Sequence, residues 1–121
     1  MPAIRVAPMN RWNIPEWLES EVRQRDTKCV YCGVEMRNKV PRGSSRRSAA
    51  TWEHIINDAR IVNRENIALC CSACNSSKGQ KPLLDWLQSA YCTVQGINEH
   101  TVAQIIKDAI SKARDAAPHS T

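Results

Sequence analysis

Two Cys-x-x-Cys pairs, Cys29 with Cys32 and Cys71 with Cys74, stand 38 residues apart in this chain. Each pair presents two thiolates from one side of a tight turn, and two such pairs supply the four sulfurs of a tetrahedral zinc site. The gap between the pairs is wider than in a compact zinc ribbon, so a substructure is inserted between the halves of the site. Disulfides are the rival use of these cysteines. The start of the chain, Met1-Pro2-Ala3-Ile4-Arg5, lacks the apolar run of a secretory leader, which points to a reducing, cytoplasmic compartment and so to metal. Cys70 offers a poorer register with Cys74, and Cys92 has no partner motif; both read as small buried side chains.

Between and after the pairs the chain reads Trp52-Glu53-His54-Ile55-Ile56, then Asn66-Ile67-Ala68-Leu69-Cys70-Cys71-Ser72-Ala73-Cys74-Asn75-Ser76-Ser77-Lys78-Gly79. From Cys29 to about Trp86 the sequence resembles the HNH endonuclease family. That family's pattern is an acidic residue and a histidine, a middle asparagine, then Cys-x-x-Cys followed by His or Asn and a lysine. The resemblance implies an α+β fold, a small ββα-metal core with zinc knuckles. It implies that His54 is the general base, Asn66 the structural asparagine, Asn75 the last ligand of a catalytic metal and Lys78 the basic residue that follows. Glu53 stands where the family commonly has an aspartate as the second metal ligand. Two positions depart from the pattern: Asn75 replaces the more usual histidine, and Asn57 a frequent proline.

The residue types suit that chemistry in their own right. Hydrolysis of a phosphodiester needs a base that is neutral near pH 7, and histidine ordinarily titrates at about 6.5. It also needs a cation to offset charge on the phosphate and the leaving oxygen. The carboxylate of Glu53 and the amide oxygen of Asn75 are hard ligands, which favours Mg²⁺ or Mn²⁺ alongside the structural Zn²⁺. One geometric objection arises, because neighbours on a regular strand point to opposite faces. For Glu53 and His54 to meet one phosphate, the strand must end or bulge there, with Asn66 pinning the irregular loop through its backbone. Asn75 and Lys78, three apart, share one face of a short helix. His100 and His119 lack such company and read as solvated.

Arg37, Lys39, Arg42, Arg46 and Arg47 place five positive charges in eleven residues without an acid. Such a loop suits DNA-backbone contact, with Arg60 and Arg64 as weaker additions. The net charge of +5 points to the same polyanionic partner. No membrane partner is expected, since no apolar run is long enough to span a bilayer, and with DNA as the expected substrate no small-molecule substrate is expected either. Two other functions use the same features. A zinc-stapled nucleic-acid-binding module without catalysis would explain the cysteines and the charge but leave Glu53, His54 and Asn75 idle. A zinc-stabilised protein-interaction domain would dock through the C-terminal helices.

These residues need elements to hold them. Asn13 and Glu16 form the pattern of a capping box, with Pro15 in the first turn, for a helix to about Arg25 whose apolar face is Ile14, Trp17, Leu18 and Val22. Asp26-Thr27-Lys28 breaks it and leads into the knuckle at 29–33. Residues 37–50 read as a loop, followed by strands over 51–56 and 66–71 separated by a polar stretch. A short helix starts near Cys74 and ends at Gly79. Pro82 opens another, lined by Leu83, Leu84, Leu87, Ala90 and Tyr91. A last helix carries Val102, Ile105, Ile106, Ala109, Ile110 and Ala113, capped at Asn98 or Thr101 and ending near Ala117-Pro118. The expected organisation is an arm (1–12), one nuclease domain (13–117) whose catalytic core spans about 29–80, and a tail (118–121). An N-terminal helix and two C-terminal helices flank that core. A chain of 121 residues with 5% aromatics and no Phe has a thin core that a metal would staple.

Overall fold

A strand with no exposed residue, Ile67–Cys71, runs through the middle of the protein. The computed structural model describes residues 10–116. Their order is α1 (Glu16–Arg25), β1 (Ala50–His54), β2 (Ile67–Cys71), α2 (Ser72–Lys78), α3 (Leu83–Leu87), α4 (Ala90–Gln95) and α5 (Gln104–Ala116). This is an α+β arrangement around one two-stranded sheet. β1 and β2 pair antiparallel, with Thr51 opposite Cys70, Glu53 opposite Ala68 and His54 opposite Ile67. Strand alternation then divides the core. Ile67 and Leu69 pack with Ile14, Leu18 and Val22 of the α1 segment. Ala68 and Cys70 face the larger cluster of Tyr31, Trp86, Ile97, Ile106 and Ile110. Trp86 meets Tyr31 edge-on at 4.8 Å and stacks on Tyr91 at 6.0 Å, so three rings supply the bulk that a chain without Phe otherwise lacks.

The free edge of β2 is satisfied by side chains as well as backbone. Asp26, 6% exposed, accepts from the Leu69 amide and holds the Arg25 guanidinium at 2.7 and 2.8 Å. Arg25 donates in turn to the carbonyls of Ile67 and Arg64, and the Val30 amide donates to the carbonyl of Leu69. The end of α1 and the first cysteine knuckle are thereby fixed to the same strand edge.

Several local expectations are corrected. The capping box does not form: Pro15 takes the cap position of α1, and Asn13 turns into the left-handed region with φ 59°. Asn10 does the capping work one turn earlier, its Oδ1 accepting from the amides of Trp12 and Ile14. Trp17 is 56% exposed rather than buried. Ile14, Leu18 and Val22 recur every four residues, and Trp17 lies about 100° around the helix from Leu18, off their stripe. The strands expected over 51–56 and 66–71 run instead over Ala50–His54 and Ile67–Cys71; past the Ile55–Asn66 backbone bond, the side chain of Asn66 takes the next amide, that of Ile56. α2 begins at Ser72, before Cys74, capped by the sulfur of Cys71. The helix expected from Pro82 is two helices, since Ser89 caps α4 through the Cys92 amide; three helices follow α2, not two. Asn98 and Thr101 close a turn ahead of α5 instead of capping it. Most of the expected arm (1–9), the tail (118–121) with His119, and the end of the last helix near Ala117 lie outside the described residues. Among the described residues, no helix is long and apolar enough to cross a membrane.

Candidate metal centre and the cleft beside it

Tight turns bring the two cysteine pairs together. The first closes at Gly33, whose amide donates to the Cys29 carbonyl and whose φ of +77° suits a residue without Cβ. The second is the junction of β2 with α2. All four sulfurs, of Cys29, Cys32, Cys71 and Cys74, lie within 4.8 Å of one another. Cys32 Sγ and Cys71 Sγ are 3.7 Å apart. A tetrahedron with zinc–sulfur bonds of about 2.3 Å has edges of roughly 3.8 Å, whereas a disulfide would need about 2.05 Å. In each pair the second cysteine's amide donates to the first one's sulfur at 3.5 Å, and the Tyr91 hydroxyl lies 3.3 Å from Cys74 Sγ. Thiol hydrogen bonds from Cys71 and Cys74 hold the Cys29 thiol far below the ordinary range, and Cys29 pushes both of those thiols up. A divalent cation is what allows all four to ionise together. The four cysteines are positioned to bind one metal ion, and the donor set fits structural zinc. Cys70 and Cys92 are fully buried and outside this set.

Next to this centre, along the outer edge of β1, runs a cleft of about 400 Å³ lined by Arg11, Trp12, Thr51, Trp52, Glu53, His54, Asn57, Asn75 and Gly79 among others. The cleft follows the strand's edge, not one of its faces, so residues of both parities reach it. That resolves the objection about Glu53 and His54, and no bulge is needed: β1 stops at His54. Beyond it, Asn66 Oδ1 accepts from the Ile56 amide at 2.7 Å while Nδ2 donates to the carbonyls of Ile56 and Ile61. Asn66, 3% exposed, thus pins the loop that follows the histidine.

The amide of Asn75 is oriented by its partners. Thr51 Oγ1 donates to the Cys70 carbonyl, so it accepts from Asn75 Nδ2 at 2.9 Å, and Nδ2 also donates to the Trp52 carbonyl. Both acceptors require the amino group, which leaves Oδ1 as the oxygen turned away from them. His54 Nε2 is enclosed without a hydrogen-bond partner among the described residues. Burial lowers the His54 pKa, outweighing the carboxylates of Glu53 and Asp58 that raise it. Burial thus favours the neutral ring.

Glu53 and Lys78 form a buried pair, 5% and 1% exposed, with Lys78 Nζ 3.2 Å from Glu53 Oε2. The same Oε2 accepts from the Tyr31 hydroxyl at 2.5 Å, and Nζ also donates to the Ile55 carbonyl. Lys78 does not line the cleft; it stands behind the site and braces Glu53 and the end of β1. Replacing Lys78 with Met should cost about 3–5 kcal/mol, because a buried carboxylate loses its countercharge. Adding Glu53→Gln should restore part of that loss in urea denaturation. Equal stability of the single and double variants would contradict this account of the pair.

Arg37, Lys39, Arg42, Arg46 and Arg47 are all exposed, and none lines the cleft. Their loop is tied down at its base, where the Arg37 amide donates to the Ser48 carbonyl and the Ala73 amide to that of Arg47. Reading the sequence missed Tyr31, Thr51, Arg11 and Trp12. Thr51 carries the one available signal, being two positions before Glu53 and so on its face of the strand. Tyr31 was visible only as a filler between two metal ligands.

One similar protein is the CRISPR-associated endonuclease Cas9 of Corynebacterium diphtheriae, 27% identical over 101 residues. The similarity takes in 81% of this chain and 8% of that protein, so the chain spans less than a tenth of this relative. No family pattern matches the chain, and no solved structure does.

Proposed function

We propose that this chain is a metal-dependent DNA endonuclease of the HNH type, with His54 as the general base. The observation that carries the reading is the meeting of the His54 imidazole, the Glu53 carboxylate and the oriented amide of Asn75 at one cleft, next to the four-cysteine cluster. The name of the Corynebacterium relative, an endonuclease, supports the same class of activity. Nε2 of His54 is enclosed, so Nδ1 is the nitrogen left to take a proton from water in the cleft. Asn75 Oδ1 and the carboxylate of Glu53 would hold a divalent cation, and the fixed amide of Asn75 fits that role. A bound Mg²⁺ or Mn²⁺ supplies positive charge against the phosphate and the leaving oxygen. Tyr31 and Lys78 fix the carboxylate, and Asn66 fixes the loop after the base; these three are positioning residues. Structural zinc at the cysteines holds the start of α2, and with it Asn75, against β1. Conversion of supercoiled plasmid to open circles, dependent on added Mg²⁺ or Mn²⁺, is the expected result. Tight binding without any cutting would favour the second reading, a zinc-stapled DNA-binding module, which the cysteine cluster also fits.

In either reading the exposed loop makes backbone contacts. Neutralising Arg42, Arg46 and Arg47 together should weaken binding to all sequences alike and flatten the plot of log affinity against log salt by up to about 0.9 per lost contact. A slope unchanged from wild type would assign the loop to plain solvated surface.

A further inference from the structure

The N-terminal side of the cleft carries two indoles, each paired with a guanidinium. Arg11 lies 4.8 Å from the centre of the Trp12 ring and Arg23 4.9 Å from that of Trp52, and both tryptophans line the cleft. Trp52 is half-buried against the core, but Trp12 is 44% exposed. Trp12 is also held in place. Asn10 accepts from its amide at 2.8 Å and from that of Ile14 at 3.2 Å, the Asn13 amide closes onto the Asn10 carbonyl, and Ile14 is fully buried. An exposed indole on a fixed turn, beside a cation, leaves a large apolar face in water at the mouth of a polar cleft, which is the arrangement on which unpaired nucleobases stack.

We propose that Trp12 is a stacking platform for an unpaired base next to the phosphate held in the cleft, so that the chain prefers single-stranded or locally opened DNA to continuous duplex. The proposal deepens the nuclease reading and rests on it for the chemistry of the ligand. In a duplex both faces of each base are covered by the stack, and Trp12 has nothing to receive; an unpaired nucleotide offers its π-face while its phosphate meets Arg11. Trp17 is a built-in control, since it is 56% exposed and has Arg64 at 5.8 Å from its ring, yet does not line the cleft.

The test is equilibrium binding of a fluorescein-labelled single strand and its blunt duplex by the zinc-loaded chain without Mg²⁺ or Mn²⁺, so that no cleavage intervenes. Trp12→Ala should weaken single-strand binding about 5- to 150-fold, the range for one stacked base, and leave the duplex unchanged. Trp12→Phe should keep most of the affinity, and Trp17→Ala all of it. Unchanged single-strand affinity in Trp12→Ala, equal losses on both ligands, or an equal loss in Trp17→Ala would overturn the proposal. The two readings fail separately. A chain that binds single strands through Trp12 but never nicks plasmid refutes the nuclease alone. One that nicks plasmid while Trp12→Ala binds single strands as well as wild type refutes the platform alone.

Discussion

Cys32→Ser is expected to leave most of the chain unfolded at room temperature. Of the four sulfurs only that of Cys32 belongs to an exposed residue, so exchanging it for a hydroxyl sacrifices little packing, and the loss reports the metal. A structural zinc contributes on the order of 10 kcal/mol to folding in small domains, comparable to the whole stability of roughly 5–15 kcal/mol that such a protein has. Here the site joins the 29–33 knuckle to the junction of β2 and α2, segments that also meet through the Val30–Leu69 bond and the burial of Val30 and Tyr31 in the core. Native mass spectrometry under reducing conditions should find one zinc per wild-type chain, and near-ultraviolet circular dichroism should lose its signal in the variant. A Cys32→Ser chain that keeps a cooperative melt near the wild-type temperature would contradict the structural role of the metal.

The second large effect is expected at the base. His54→Ala should lower the rate of plasmid nicking by about 10²–10⁴-fold, the range of a general base, while zinc content and DNA affinity stay near wild type. The variant should fold, because Asn66, not the imidazole, secures the loop after β1. The pH dependence has a definite sign. Burial lowers the histidine's pKa, and in the proposed mechanism the neutral ring is the active form. The wild-type rate should therefore rise with pH through a midpoint below the ordinary value of about 6.5 and level off above it. A midpoint above 6.5, or a rate in His54→Ala equal to wild type, would remove His54 from the role of base.

The four-cysteine cluster was legible in the sequence because cysteine spacing encodes it directly: each Cys-x-x-Cys turn presents two sulfurs to one side, whatever lies between the pairs. The pinning role of Asn66 was legible for a similar reason, since an irregular loop needs a side chain that both donates and accepts. The cleft was harder to foresee. Glu53 and His54 share it only because it runs along a strand edge, which a pattern of alternating faces does not show. Lys78 sits three residues from Asn75, and helical spacing put both on one face, yet Lys78 is drawn inward by a carboxylate from another element. The missed capping box and the outward Trp17 are local patterns overridden by Pro15 and by the four-residue stripe packed on β2. Arg11 and Trp12 stand in a stretch with no periodicity; only the turn closed by Asn10 brings them to the cleft.

The most direct test is plasmid nicking by zinc-loaded protein in buffer alone and with added Mg²⁺ or Mn²⁺, with zinc-loaded His54→Ala run beside it. The account predicts open-circular product from wild type only when the divalent metal is added, and a rate at least about 100-fold lower in the variant. Intact supercoiled DNA under every condition, from protein shown to carry its zinc and to bind the plasmid, would contradict the assignment of this cleft to phosphodiester cleavage.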